Sequence, residues 1–294
     1  MLASIIIPVF NDLHAIQLTV DALSKQTAQC DEYEVIVVDN GSTDGSVEWL
    51  QQQKDIIFIS ETSHLGSPYS CRNRGVEVAT GEFIVLLDST CIPALDWVEA
   101  GLNYHKDTAE VLFGGCVKFN FEGQMTVGKL YDSITNVQME HSITHQQKAK
   151  TANLWVHKQV LQDMGKFREG VRSGEDVRWT KHCTDSGLHL GYSQHTKVYK
   201  FARGTLALLK KQVRVGKGQM RLWRARSETN RQLIKALKKV LPISSKTMRV
   251  LMARNKDVNY QWHLVTRLYI VSYLSELSTL FGNLLGIFQK NKSE

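Results

Sequence analysis

The stretch FIVLLDSTCIPA (residues 83–94) is an apolar run that stops on one carboxylate, Asp88, and is followed by a polar turn closed by Pro93. A second run, EVIVVDNGSTDGS, stops in the same way on Asp39. Taken singly, an Asp at such a place forms a turn or caps a helix. Two of them at the ends of neighbouring strands gain a further meaning, because open α/β sheets bind ligands beyond the carboxyl ends of their strands. Four such ends are polar and carry Gly, Pro or both: PVFND, DNGSTDGS, SHLGSPYSCRNRG and DSTCIP.

The common nucleotide loops are missing. No Gly-x-x-x-x-Gly-Lys-Ser/Thr loop is present, no Gly-x-Gly-x-x-Gly follows the first apolar run, and no G-x-S-x-G elbow occurs. The five cysteines (Cys30, Cys71, Cys91, Cys116, Cys183) are widely spread without a C-x-x-C pair, which suggests neither a disulfide framework nor a zinc site and points to a reducing compartment. The opening MLASIIIPVF lacks a basic leader and reads as a buried strand, so a cytoplasmic protein is expected.

The elements that must position these residues follow from hydrophobic pattern. SIIIPVF, EVIVVDN, DIIFIS, EFIVLLD and EVLFGGCVKF are too continuously apolar for a sheet with one wet face, and read as central strands. Between them, LHAIQLTVDALSKQT places Ile16, Val20 and Leu23 on one helical face, and SPYSCRNRGVEVAT supplies another turn and helix. Alternation of this kind implies a mostly parallel central sheet flanked by helices. After residue 120 the pattern weakens through the polar NVQMEHSITHQQKAK, and then TANLWV…LGY reads as strand, helix, loop, helix, strand.

The chain has 294 residues, 43% hydrophobic and 22% charged, ordinary for a globular protein. Its net charge of +7 belongs to one segment: residues 197–256 carry 18 Lys and Arg against one acid, Glu228, so the remainder is net acidic. An anionic partner is implied, whether nucleic acid, a phospholipid surface or a phosphate-bearing substrate, beside the plain reading of a solvated helical face. Nucleic acid is disfavoured, because the segment has little aromatic interleaving. The last apolar stretch, residues 264–288, is interrupted by Arg267 and Glu276 and is expected to pack on a surface rather than span a bilayer. Its apolar face leaves a homodimer open.

The ordered strings SIIIPVFN, VIVVDNGSTDGS, CRNRGVEVATGEFIVLLDST and TANLWVHKQVLQDMGKFREGVRSGEDVRWTKH resemble glycosyltransferase family two, inverting nucleotide-sugar enzymes of the GT-A fold, over roughly residues 3 to 225. The resemblance implies a GT-A, Rossmann-like α/β domain over 1–205, its nucleotide-binding part about 1–92 and its acceptor-binding part about 93–205. A basic helical C-terminal region, 206–294, would follow. It further implies that Pro8 and Phe10 border the nucleobase, that Asp39 hydrogen-bonds the base, and that Arg72 meets base or phosphates. Asp88, with Ser89 and Lys200 near it, would face the diphosphate directly or through a divalent ion. Asp176 would be the catalytic base with Glu175 beside it, and Asn153 and Trp155 would line the acceptor pocket. The donor expected is a UDP-sugar, and the acceptor a glycan or lipid-linked hydroxyl at the inner face of the cell membrane.

The chemistry such a family performs needs one base for the acceptor hydroxyl and charge compensation for a departing diphosphate. Like charge at Glu175 would raise the pKa of either neighbouring carboxylate. The sequence departs from the family in two places. Where Asp-x-Asp is usual it has Asp88-Ser89-Thr90, and where a histidine often follows it has Lys200, with His195 a few residues early. Two readings stay open: Mg²⁺ or Mn²⁺ held by Asp88 and waters, or metal-independent catalysis in which Lys200, Arg203 or Arg214 neutralises the diphosphate. A non-catalytic nucleotide-sugar-binding protein on the same fold is the alternative function.

Overall fold

The computed structural model of the chain describes residues 2–121, 123–225, 229–239, 243–254 and 260–287. Arg226, Glu228, Lys256 and Phe288 lie outside the described residues. The first elements are β1 (Ala3–Val9), α1 (Leu13–Leu23), β2 (Tyr33–Asp39), α2 (Ser46–Leu50), β3 (Ile57–Ser60), α3 (Pro68–Val78) and β4 (Phe83–Leu87). Next come β5 (Cys91–Pro93), α4 (Trp97–Thr108), β6 (Leu112–Asn120), α5 (Val127–Thr135), α6 (Met139–Gln146), β7 (Asn153–His157), α7 (Lys158–Met164), α8 (Glu175–Asp185) and β8 (Gly191–Phe201). Helices α9 (Thr205–Ala225), α10 (Thr229–Lys239), α11 (Ser245–Met252) and α12 (Trp262–Ile287) follow.

The strands form one sheet in the order β3-β2-β1-β4-β7-β6-β8-β5. Its first four members run parallel, and every residue of β4 is buried, as a strand covered on both faces requires. The other half is mixed: β7 is antiparallel to β4 and β6, β5 is antiparallel to β8, and β6 and β8 are parallel. The expected central strand at residues 55–60 is instead the short edge strand β3, with Ile57 exposed. The polar stretch 136–150 contains α6, whose buried residues, Met139 and Ile143, are one turn apart and too few to register as a period.

Two compact units result. One comprises residues 1–120 and 137–201, with the sheet and its core; the other comprises 121–136 and 202–294, so α5 joins the C-terminal helices rather than the sheet. The boundary expected at 205–206 lies a few residues past this division. In the second unit Leu130, Ile134, Leu208, Met248 and Leu268 form a separate core. There α9 and α12 run side by side in the same direction at glycines: a Cβ at Gly216 would strike the Thr279 carbonyl, and one at Gly282 the Val213 carbonyl. Among the described residues α12 is the one helix long and apolar enough to cross a bilayer, and a third of its apolar window is buried within the protein.

The strand that carries Asp88 is reached through α3, whose packing on β1 depends on Gly75. A Cβ there would lie 2.5 Å from Cγ2 of Ile6, which is fully buried. Helix propensity favours Ala over Gly by about 1 kcal/mol, but overpacking of a tight core costs about 1–3 kcal/mol. Gly75→Ala is therefore expected to lower the melting temperature by several degrees, measured by thermal unfolding, where propensity alone would raise it.

Candidate active site

Helix α3 has a polar sequence, PYSCRNRGVEV, yet seven of its eleven residues are buried. Buried polar groups need partners, and most of those of α3 find them outside the helix. Ser67 caps it by accepting from Ser70 N at 3.3 Å, and Pro68 sits in the first turn where a missing N–H costs nothing. Asn73 then pairs with a backbone as another strand would: Nδ2 donates to Phe167 O at 2.8 Å, and Oδ1 accepts from Phe167 N at 3.1 Å. Ser67 Oγ donates to Val171 O at 2.8 Å, and Ser70 Oγ accepts from Gly170 N at 3.1 Å. The segment 167–171 is thereby fastened to α3. It delivers the chain to Gly174, whose φ of +83° suits glycine, and so to Glu175 and Asp176 at the start of α8.

Two members of α3, one turn apart, each hold a carboxylate of interest. Tyr69 Oη donates to Asp176 Oδ1 at 2.9 Å. Burial, then the charge of Asp176, pushes the Tyr69 phenol well above its ordinary pKa against the opposing pull of Arg72, so it stays a donor. Asp176 Oδ1 also accepts from Val177 N at 2.9 Å. Arg72 lies with its guanidinium carbon 5.4 Å from the Tyr69 ring centre and donates from Nη2 to Asp88 Oδ1 at 2.8 Å. Its Nε is buried and without a partner among the described residues.

Asp88 is shared. Its Oδ2 accepts from Lys200 Nζ at 3.1 Å, and the same ammonium donates to Thr90 Oγ1 at 2.5 Å and lies 3.4 Å from Cys91 Sγ. The β5–β8 register, which sets Lys200 opposite Cys91, produces this meeting. Both cations are 2% exposed, whereas Asp88 keeps a third of its side-chain surface. The cluster thus carries one carboxylate between two buried cations, with its anion on the open side. This donor set does not fit a resident divalent ion. Each Asp88 oxygen already faces a cation, Thr90 offers a neutral hydroxyl, and no group of three His, Cys, Asp or Glu suited to a metal occurs among the described residues. His195 is exposed and pairs with Gln194.

The remaining expected residues fall into two sets. Asp39 is buried at the end of β2, where Oδ2 accepts from Gly41 N at 2.8 Å and Ser42 N at 3.1 Å, shaping the turn that follows the strand. Gly41 has φ +85° there, and a Cβ would press on Leu65 Cδ2 at 2.8 Å. Pro8 is half-buried in β1, and Phe10, directly after it, is exposed. Ser89 Oγ donates to Asp12 Oδ2 at 2.9 Å, binding the turn of Asp88 to the end of the first loop.

Three assignments need correction. Trp155 is fully buried, stacked on Phe113 with centroids 5.5 Å apart and edge-on to Trp97, so it packs the core and lines no acceptor pocket. Asn153 is also fully buried; it accepts from Trp97 Nε1 and donates to the carbonyls of Cys116 and Thr196, stitching β7 across the bulge of β6. Glu175 is a buried anion clamped by Arg178 Nε at 2.7 Å, Arg178 Nη2, and Arg168 Nε and N at 3.0 Å. Burial alone would raise its pKa, but the hydrogen bonds from Arg178 and Arg168 outweigh it and hold the carboxyl below 4.5. The raised carboxyl expected from like charge is therefore absent at Glu175. Arg203 belongs to the second unit, where its backbone amide donates to Asp132 Oδ2 at 3.0 Å, and Arg214 lies in α9 of that unit.

Tyr69 is the site residue that sequence reasoning passed over. The signal was its spacing of three from Arg72 on one helix, which puts both on the same face.

Comparison with known proteins accords with this architecture. The model of the family described as Glycosyl transferase family 2 matches residues 4–159. Glycosyltransferase AglE of Haloferax volcanii is 41% identical over 224 residues, 75% of this chain and 73% of that protein. The next curated relatives are spanned by this chain over less than half of their own length. Among solved structures, S. aureus TarS 1-349 in complex with UDP-GlcNAc aligns with TM-score 0.57 at 15% identity, over 97% of this chain and 92% of that one. The mannosyltransferase PcManGT from Pyrobaculum calidifontis, in complex with GDP-Man and Mn²⁺, aligns with TM-score 0.55 at 16% identity, over 97% and 72%. At these identities the likeness is one of fold, the GT-A arrangement.

The clamp on Glu175 yields an expectation about pH. A carboxyl lowered in the folded state contributes stability that is complete above its unfolded pKa near 4.5 and is lost as pH falls through the lower folded value. Glu175→Gln is expected to destabilise the protein by about 2–4 kcal/mol at pH 7 and by progressively less below pH ~4.5, as measured by urea unfolding at each pH.

Proposed function

The chain belongs to glycosyltransferase family 2, and from that premise we propose that it moves a sugar from a UDP-sugar to a hydroxyl of a glycan or lipid-linked acceptor with inversion, Asp176 serving as the base. The observation that supports this reading most is the tether of Asp176 and Asp88 to one turn of α3, through Tyr69 and Arg72. One carboxylate takes its two hydrogen bonds among the described residues, from the Tyr69 phenol and from Val177 N, on Oδ1, which leaves Oδ2 for the acceptor hydroxyl. The other is surrounded by cations suited to an anion.

The reaction then divides between them. The acceptor oxygen attacks the anomeric carbon from the face opposite the nucleotide, its proton passes to Asp176, and the bond to the diphosphate oxygen breaks with its electron pair leaving on that oxygen. No acid is needed at the departing oxygen, because buried cations compensate its charge in a site of low dielectric. The nucleotide sugars named with the structural neighbours, UDP-GlcNAc and GDP-Man, support a nucleotide-diphosphate donor. Family membership favours transfer over a non-catalytic binding role. Asp176→Asn is expected to reduce transfer by about 10²–10⁴-fold while binding of UDP, measured by calorimetry, changes less than twofold. A variant that transfers at the wild-type rate would remove Asp176 from the role of base.

For the acceptor, the second unit supports a lipid surface. Helix α10 sets Ile234 and Leu237 in solvent among Arg231 and Lys235, and α12 exposes Trp262, Ile270, Phe281 and Leu284. Apolar side chains beside basic ones suit an anionic leaflet, with about 1 kcal/mol for each cation near the surface. The protein is accordingly proposed to work at the inner face of the cell membrane. It is expected to sediment with vesicles containing phosphatidylglycerol and to be released by 0.5 M salt, and the double variant Ile234→Glu, Leu237→Glu to weaken that binding at least tenfold.

A further inference from the structure

Lysine is seldom buried, and when it is, a partner has to hold its charge. Lys200 is 2% exposed and its ammonium sits between the Asp88 carboxylate and the Thr90 hydroxyl. That gap between residues 88 and 90 is where the Asp-x-Asp turn typical of the family would direct its two carboxylates. The substitution is balanced in charge. An Asp at position 90 with a divalent ion contributes one net positive charge, and Thr90 with a protonated Lys200 contributes the same. Arg72 adds a second cation, and Asp88 then acts as the counter-ion that keeps both in place.

We propose that Lys200 occupies the place of the divalent cation, so that Lys200 and Arg72 together form a metal-independent diphosphate site in this glycosyltransferase. The inference rests on the donor reading given above and specifies how its leaving group is held. When the bond between the anomeric carbon and the diphosphate breaks, the electron pair stays on the phosphate oxygen. Its charge is met by the Lys200 ammonium and by the guanidinium whose Nε has no partner among the described residues. The proton from the acceptor goes to Asp176, so no further co-reactant enters the balance. Thr90 is part of the device: a hydroxyl orients the ammonium without cancelling it, whereas a carboxylate would leave the cluster neutral before any donor arrives.

The experiment measures binding of UDP and of GDP by calorimetry on the full chain, in EDTA and again with MnCl₂, alongside turnover of the sugar donor that binds. With the lysine in the metal's place, affinity and turnover differ less than twofold between the two conditions. Lys200→Met then lowers affinity at least tenfold in both. The paired variant Thr90→Asp, Lys200→His binds the nucleotide tenfold or more tightly with MnCl₂ than in EDTA. Thermal unfolding checks that each variant is folded, and the wild-type comparison needs no variant at all. Binding or turnover of the wild type that falls tenfold in EDTA and returns with Mn²⁺ overturns the inference and leaves the donor reading standing. If neither nucleotide binds in either condition, the donor reading itself is overturned, and the inference with it.

Discussion

Two buried cations share one carboxylate at the carboxyl edge of the sheet, and the fold has to provide for that imbalance. Arg72 comes from a helix, Asp88 from the end of a parallel strand, and Lys200 from a strand of the mixed half of the sheet. None is near another in sequence except through the sheet. The topology explains how they meet: β4 brings Asp88 to the carboxyl edge, α3 lies over β1 and β2 with Arg72 pointing to the same edge, and β8 pairs with β5 in a register that sets Lys200 opposite Cys91. A sheet parallel throughout, with a crossover before every strand, would bring β8 to that edge only by another long connection. The antiparallel pairing of β5 with β8 does it directly.

The dependence runs through α3. Its Arg-Asn-x-Gly string, residues 72–75, divides three tasks among neighbouring residues. Arg72 fixes Asp88, Asn73 satisfies both backbone groups of Phe167, and Gly75 lets the helix approach Ile6. The segment that precedes the candidate base is held by these polar contacts together with the packing of Phe167 against Tyr69 and Trp179, so its position is set to hydrogen-bond tolerance. The clamp of Arg168 and Arg178 on Glu175 then fixes the first turn of α8, which leaves Asp176 to be oriented by Tyr69.

What was legible in the sequence follows the same division. The five apolar runs announced strands because burial on both faces leaves a continuous signal, and Asp39 and Asp88 stood out because they ended those runs. Strand β3 misled, since Ile57 and Phe58 look like core residues, and only the sheet order makes them an edge. Strand β5 is too short to carry any period, yet it sets the place of Lys200. Asn153 and Trp155 matched a string associated with an acceptor pocket, but their fate was decided by β6 and the bulge at Gly115/Cys116, which no local pattern encodes. The partners of Glu175 and Tyr69 were illegible for a simpler reason: hydrogen bonds between side chains depend on three-dimensional approach, and spacing restricts it without determining it.

Thr90 and Lys200 are better understood as one change than as two. A lone Thr at the turn would cost the site a ligand, and a buried Lys between two carboxylates, with Arg72 beside them, would leave the cluster neutral. On the proposed diphosphate site, together they retain the charge and would alter its carrier from a diffusible ion to a tethered side chain. A tethered ammonium is present at full occupancy whatever the metal supply, and it is aligned before the donor arrives, which is the condition under which a fixed charge lowers a barrier without reorganisation. What it gives up is charge density, since an ammonium carries half the charge of a divalent ion and coordinates nothing. Arg72 makes up part of that difference, because its guanidinium reaches the cluster from the opposite oxygen of Asp88. The demand for two cations rather than one then accounts for a buried Arg72 guanidinium paired with the partly exposed Asp88 carboxylate.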